Sequence, residues 1–124
     1  MTRFQYIDLL GTPFQRGGRG PDTYDCYGLV CEMYRRRGIV VPDFESPGTL
    51  EEVADIIARE EVRWRRVPLR TPGTLVTFRV DGLGAHVGYM LEGDNFLHAI
   101  ESAGVAVDRL TNGAYKPLAA YDYV

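Results

Sequence analysis

The sequence predicts an α+β fold, with helices in the first half of the chain and an antiparallel sheet in the second. Apolar residues recur at helical spacing up to about residue 60, and from there short β-branched runs separated by Pro and Gly take over. The chain has 124 residues, of which 45% are apolar and 25% charged. These values are typical of one globular domain, so we expect a single domain over residues 1–124.

The N-terminal region is expected to hold one short helix and a loop. Phe4–Leu10 has helical apolar spacing, and the helix should end at Gly11-Thr12-Pro13 because Pro lacks an amide hydrogen. The stretch 15–22 contains three Gly and one Pro, too many for regular structure. We expect this loop to deliver the chain to Asp25.

The next helix is predicted over Cys26–Arg37, and Gly38 ends it. Its apolar face follows the spacing i, i+3, i+4, i+7 and i+8 and consists of Cys26, Leu29, Val30, Met33 and Tyr34. Asp25 stands at the N-cap, so Cys26 falls in the first turn. Backbone N–H groups and the helix dipole favour negative charge there, and we expect a lowered pKa for the Cys26 thiol.

One further helix and a series of strands complete the prediction. Thr49-Leu50-Glu51-Glu52 has the pattern of a capping box and starts a helix that runs to about Glu60. We expect strands over residues 62–67, 74–80, 86–91, 96–100 and 105–110, and a final strand or docked tail at 121–124. Helices followed by consecutive strands are typical of an α+β domain with an antiparallel sheet.

Charge and hydropathy limit the classes of function. The formal net charge is -3, from 17 acidic and 14 basic residues, and the basic residues form no long block, so nucleic acid is not an expected partner. No window approaches the ~20 apolar residues of a membrane span, and no basic stretch followed by an apolar run marks an export signal. We therefore expect no membrane span, and synthesis in the cytoplasm without a signal peptide.

Cys26 has the surroundings of a nucleophile: it lies at a helix N-terminus and follows a Gly-rich loop, and the small Gly28 two residues later permits close approach of backbone. The alternative is a buried Cys that acts only as a small apolar side chain. A disulfide with Cys31 is not expected, because five positions along a helix turn the two side chains about 140° apart.

The two histidines of the chain, His86 and His98, favour chemistry at Cys26. A three- or five-residue loop centred on Glu92 would set them directly opposite each other on one face of a hairpin. One imidazole can then take the thiol proton while the other orients it, as in cysteine hydrolases. Two other interpretations stay open: strand histidines satisfied by backbone groups, and a zinc site, which the absence of a Cys-x-x-Cys or His-x-x-x-His pair disfavours.

Asp25-Cys26-Tyr27-Gly28-Leu29-Val30 resembles the Asp-Cys-Ser-Gly-Leu-Val signature of the NlpC family of papain-like cell-wall peptidases. Further segments are similar to family motifs in order and spacing, namely Gly11-Thr12-Pro13-Phe14 with Gly17-Gly18, residues 72–78, His86-Val87-Gly88-Tyr89 and Phe96-Leu97-His98-Ala99. The resemblance covers most of the chain from Gly11 to Leu110.

The resemblance implies a papain-like fold in which N-terminal helices carrying the Cys pack on an antiparallel sheet carrying the two His. It implies hydrolysis of the bond between D-glutamate and a diamino acid in peptidoglycan stem peptides, through an acyl-enzyme and without a metal or organic cofactor. Cys26 would be the nucleophile, His86 the base and His98 the orienting residue. The backbone N–H of Cys26 would help to stabilise the oxyanion.

The sequence departs from the family pattern at two positions near the site. Tyr27 replaces the usual Ser, and Phe14 stands where many members have a Tyr that helps to bind substrate. Phe14 and Tyr27 are therefore candidate substrate-binding residues. Asp25 is a third candidate, since it matches a position able to contact the free amine of the peptide, and its other role is the helix cap.

The Tyr after Cys26 and the short chain resemble the branch found in tailed phages and related particles, the tail assembly protein K type. This implies a tail-tip component, with tail-tip proteins as partners, that reaches the bacterial wall from outside. The alternatives are a tail-tip structural or assembly subunit without activity, and a Cys-His amidase or acyltransferase that acts on a different amide.

Overall fold

The protein is described from a computed structural model that covers residues 4–43, 49–59, 63–80 and 84–123. A 3₁₀ helix at Ile7–Leu9 precedes two α-helices, α1 (Cys26–Arg35) and α2 (Leu50–Arg59). The strands are β1 (Trp64–Val67), β2 (Leu75–Val80), β3 (Gly84–Met90), β4 (Asn95–Ile100), β5 (Gly104–Arg109) and β6 (Lys116–Tyr123). Within these ranges no helix is long and apolar enough to cross a membrane. The expected α+β class is confirmed.

All six strands form one antiparallel sheet in the order β1-β6-β2-β3-β4-β5. Strands β2 to β5 are neighbours in chain order, as expected when short turns join antiparallel strands. The last strand leaves its sequence neighbour β5 and inserts between β1 and β2. The final strand expected at 121–124 is therefore longer and begins at Lys116.

Two helices are shorter than the sequence predicts. The helix expected over Phe4–Leu10 is reduced to Ile7–Leu9, because Phe4 is buried and packs edge-on against the Tyr89 ring. Helix α1 stops at Arg35 instead of Arg37. Its last residues tighten into a turn that ends at Gly38, whose φ of 80° suits glycine.

Helix α1 lies on the face of the sheet formed by β3 and β4. The buried side chains of this core include Leu29, Val30, Met33 and Tyr34 from the helix and Val87, Tyr89, Leu97 and Ala99 from the two strands. The apolar face expected for this helix is thereby confirmed. A smaller cluster on the opposite face of the sheet contains Val76, Phe78, Met90, Phe96 and Leu110, with Tyr115 packed against it.

Polar side chains fix the C-terminal half of α1. Arg36 binds Asp8 through two guanidinium nitrogens and also pairs with the buried carboxylate of Glu32. The hydroxyl of Tyr34 donates to Asp122 of β6 at 3.0 Å. The helix is thus tied to the N-terminal segment and to the last strand, so its N-terminal end has a defined direction.

Gly28 offers a test of how closely α1 fits the preceding loop. A Cβ added at Gly28 would lie 2.0 Å from the backbone oxygen of Gly18. Since both groups belong to packed backbone, we expect Gly28→Ala to lower the free energy of unfolding by about 3 kcal/mol, measured by urea denaturation. Gly113→Ala is the matched control, because a Cβ there meets nothing within 4 Å. Equal denaturation midpoints for both variants would contradict this contact.

Candidate active site

The N-terminus of α1 is held by the carboxylate of Asp25, which is 1% exposed. Its Oδ1 accepts hydrogen bonds from the backbone N–H of Gly28 at 2.7 Å and from Arg19 at 2.8 Å. Its Oδ2 accepts from the backbone N–H of Gly17 at 2.8 Å. The N-cap role expected for Asp25 is confirmed, and the same carboxylate joins the Gly-rich loop to the helix.

The thiol of Cys26 lies in the first turn of α1 and is 9% exposed. Burial raises its pKa to about 11, although the backbone N–H groups of Val87, Tyr27 and Cys26 itself act in the opposite direction. The expected lowering of the thiol pKa is therefore wrong. The helix terminus does favour the thiolate, but loss of hydration destabilises the thiolate more than those N–H donors stabilise it.

The thiol of Cys26 lies where the pairing between β3 and β4 is interrupted. Among the described residues, β3 and β4 pair only at Tyr89↔Leu97 and Met90↔Phe96. The pairing ends before Val87, whose N–H faces the thiol of Cys26 instead of a carbonyl of β4. His86 precedes Val87, so the thiol of Cys26 lies beside the residue that follows the expected base in β3.

The two histidine rings are in contact, with His86 Nε2 2.9 Å from His98 Nδ1. The sequence predicted that they lie directly opposite each other, and they do not. The observed pairs are symmetric about Gly93 rather than Glu92, and Gly93 has a φ of 68°. The register therefore moves by two residues, which keeps both side chains on one face and makes them diagonal neighbours.

Both histidines have lowered pKa values. Burial, assisted by the neighbouring His98, lowers the pKa of His86 to about 3. Burial also lowers the pKa of His98, while the carboxylate of Asp108 opposes that effect. Near neutral pH the site accordingly contains a neutral thiol and two neutral imidazoles, in which each ring has one donor and one acceptor nitrogen.

Asp108 is a member of this cluster that the sequence analysis missed. Its Oδ2 lies 2.7 Å from His98 Nε2, on the side of the ring away from His86. A signal for it exists in the sequence, because His98 pairs with Ala106 in the β4–β5 hairpin and Asp108 is the diagonal neighbour on the same face. Finding it requires the β4–β5 register, which the sequence motifs do not give.

Aromatic rings enclose the histidine pair. Tyr115, from the turn between β5 and β6, lies with its ring centroid 5.6 Å from that of His86 and 4.9 Å from that of His98. Phe96 covers another side of His98, at 4.6 Å. His98 is 0% exposed as a result, so protein groups are the hydrogen-bonding partners its ring nitrogens can reach.

The structure gives the candidate substrate-binding residues different surroundings. Tyr27 is 2% exposed, and its hydroxyl donates to the carbonyl of Pro42 at 2.6 Å, so it fastens α1 to the segment after the helix. Asp25 is bound within its own loop, as described above. Both side chains are buried, and their contact with substrate stays a prediction. Phe14 is half-buried beside Tyr24, and its contact with substrate stays a prediction.

Cys26 and Cys31 are both free thiols. Burial raises the pKa of Cys31 to about 12. In the described part of the chain, no group of three or more His, Cys, Asp or Glu residues is arranged to hold a metal ion. The two histidines that the sequence analysis also considered as zinc ligands are hydrogen-bonded to each other, and His98 is also bonded to Asp108.

Comparisons with known proteins extend this description. The sequence is 29% identical over 113 residues to the murein DD-endopeptidase MepS/murein LD-carboxypeptidase of Escherichia coli strain K12, which covers 90% of this chain and 55% of that protein. The fold is similar to NlpC1 from Trichomonas vaginalis, with a TM-score of 0.69 and 27% identity over 94% of this chain and 40% of the other. It is also similar to the NlpC/p60 domain of the peptidoglycan hydrolase SagA, with a TM-score of 0.61 and 24% identity over 91% of this chain and 88% of the other.

These likenesses confirm the papain-like fold expected from the sequence motifs. The chain spans about half the length of the curated relative described above, 55%. The NlpC/P60 family itself is matched over residues 11–121. Since this match takes in the segment around Cys26, both histidine segments and most of the sheet, the chain belongs to the NlpC/P60 family.

Proposed function

We propose that this chain is a cysteine peptidase that cuts the stem peptides of peptidoglycan, with Cys26, His86 and His98 as its catalytic residues. One observation carries the proposal. The buried thiol meets β3 at Val87, next to His86, and the ring of His86 is 2.9 Å from that of His98. This arrangement supplies a nucleophile, a base and an orienting residue in one place.

The reaction has two stages. The sulfur of Cys26 attacks the carbonyl carbon of the scissile amide while His86 accepts the thiol proton. The tetrahedral intermediate collapses when the C–N bond breaks, and His86 returns the proton to the departing amine. A water molecule, deprotonated by His86, then hydrolyses the thioester and restores the thiol. Backbone N–H groups of the first turn of α1 are the donors available to the oxyanion.

The two pKa values determine how the first step proceeds. Burial raises the pKa of Cys26 to about 11 and lowers that of His86 to about 3, so burial disfavours both charged forms in the resting site. The thiol is consequently deprotonated as it attacks, by general base catalysis, and not stored as a thiolate–imidazolium pair.

Names of the relatives support peptidoglycan peptides as the substrate. One relative is a murein DD-endopeptidase and murein LD-carboxypeptidase, and one similar structure is a domain of a peptidoglycan hydrolase. The sequence motifs point to the bond between D-glutamate and the diamino acid, which we propose as the bond cleaved. A digestion experiment therefore has to identify the bond as well as detect cleavage.

We also propose that the protein is carried in a phage or phage-like tail tip and acts on the bacterial wall from outside, after synthesis in the cytoplasm. The support is the resemblance to the tail assembly protein K type at Tyr27. In the structure this Tyr ties α1 to Pro42 and lies beneath the guanidinium of Arg19, whose central carbon is 5.8 Å from the ring centroid. A structural tail-tip subunit without activity is the rival function.

Digestion of purified peptidoglycan and defined stem peptides tests the reaction and the nucleophile together. We expect wild-type protein to release products cut after D-glutamate, identified by mass spectrometry, and Cys26→Ala to release none while it stays folded. Cys31→Ala is the matched control, since it removes the other thiol and should retain cleavage. Equal cleavage by both variants would contradict Cys26 as the nucleophile.

Alkylation of Cys26 tests the neutral resting pair. In a Cys31→Ala background, the rate of reaction with iodoacetamide should rise about tenfold per pH unit between about pH 6 and pH 9, because only the thiolate reacts and its pKa lies above that range. A plateau of fast alkylation at low pH would indicate a stored thiolate–imidazolium pair and contradict general base catalysis.

Incorporation into a particle tests the proposed location. Mass spectra of purified tails from cells that produce them should contain peptides of this chain. Cys26→Ala should enter the tails equally well, because the substitution leaves the fold intact, while those particles lose wall-degrading activity. Particles that keep full wall activity with Cys26→Ala would favour the structural subunit, and a chain found only in the lysate would contradict the tail-tip location.

A further inference from the structure

A third polar group, the carboxylate of Asp108, is hydrogen-bonded to the histidine pair. Beyond the contact between the two rings, His98 Nε2 lies 2.7 Å from Asp108 Oδ2, and Asp108 Oδ1 lies 3.3 Å from the side-chain amide of Asn112. Asp108 belongs to β5 and Asn112 to the turn after it. The carboxylate is thus held in place from both sides, and its side chain is 29% exposed, so it keeps partial access to water.

Hydrogen-bonding rules assign a direction to this chain of groups. A carboxylate accepts but does not donate, so the proton of neutral His98 is on Nε2, facing Asp108. The Nδ1 atom of His98 is then an acceptor. His86 Nε2, 2.9 Å away, must be the donor. Neutral His86 consequently has its lone pair on Nδ1, and that nitrogen is the one able to accept the thiol proton.

The opposite direction would disable the base. If His98 had its proton on Nδ1, this N–H would point at His86 Nε2, and His86 Nε2 would have to accept. The remaining nitrogen of His86 would then be protonated and unable to take the proton of Cys26. The two directions differ only in where two protons lie, one on each ring, and burial of His98 removes water as an alternative partner.

We propose that Asp108 is a positioning residue that selects the proton-bearing nitrogen of His98 and, through it, that of His86. The inference rests on the proposed function for its catalytic consequence alone, because the tautomers exist whether or not the protein cuts peptides. Asp108 acts through His98, whose ring is held by Phe96 and Tyr115. Its role is therefore to orient the base.

Nitrogen NMR of the two histidines tests this directly. In protein labelled with ¹⁵N-histidine, long-range proton–nitrogen correlations distinguish the tautomers, and the chain has only His86 and His98 to assign. We expect Nε2–H for both rings in the wild type and a shift of His98 towards Nδ1–H in Asp108→Ala. The kcat for stem-peptide cleavage should fall about ten- to a hundred-fold in that variant with KM little changed.

Two further variants control this test. Asp108→Asn retains an oxygen that can accept from His98, so it should keep more of the wild-type tautomer and rate than Asp108→Ala. Glu101→Ala removes an exposed carboxylate from the turn of the same β4–β5 hairpin and should leave both readouts unchanged. If Asp108→Ala fails to fold, the wild-type tautomers and the comparison with Asp108→Asn still test the role of Asp108.

The outcomes separate this inference from the proposed function. Nδ1–H on wild-type His98, or unchanged tautomers in folded Asp108→Ala, would overturn the role of Asp108. Tautomers that respond to Asp108→Ala in a protein that cleaves no stem peptide would support the positioning role and count against the peptidase. A lowered kcat with unchanged tautomers would assign Asp108 a merely structural part and so contradict the inference.

Discussion

Hydrogen bonds to one buried carboxylate determine where Cys26 lies. Asp25 binds the first turn of α1 through Gly28, the Gly-rich loop through Gly17, and Arg19 through its guanidinium. A buried carboxylate is tolerated only when its oxygens are satisfied in this way. The loop and the helix therefore form one unit, and the small Gly28 lets them approach until the Gly18 carbonyl touches the helix.

The sheet accommodates that unit by giving up part of its own pairing. Complete pairing of β3 and β4 would place a carbonyl of β4 where the thiol of Cys26 now meets Val87. The thiol approaches β3 where the two strands are unpaired, while Tyr89↔Leu97 and Met90↔Phe96 keep the hairpin closed at its turn. A local loss of β-sheet hydrogen bonding is thus the condition for bringing a helix residue to a strand residue.

Periodicity and capping patterns predicted most of the fold, because they depend on local sequence. The Asp25 cap, the apolar face of α1 and the succession of strands all follow from residues within one or two turns of each other. What could not be predicted depends on contacts between distant segments. The raised pKa of Cys26 comes from burial under the sheet, and the place of Asp108 comes from the β4–β5 register. The domain extent and the catalytic roles stay predictions.

The hydrogen bond between Tyr34 and Asp122 joins residues 88 positions apart, and it docks helix α1 on strand β6. During synthesis α1 is made early and its docking partner late, since chains emerge from the N-terminus onwards. Strand β1 likewise pairs only with β6 in the described part of the chain. Until β6 arrives, the Tyr34 hydroxyl lacks its partner on the sheet and β1 lacks its strand neighbour. The C-terminal half of α1 and strand β1 therefore reach their final contacts through the same late-made segment.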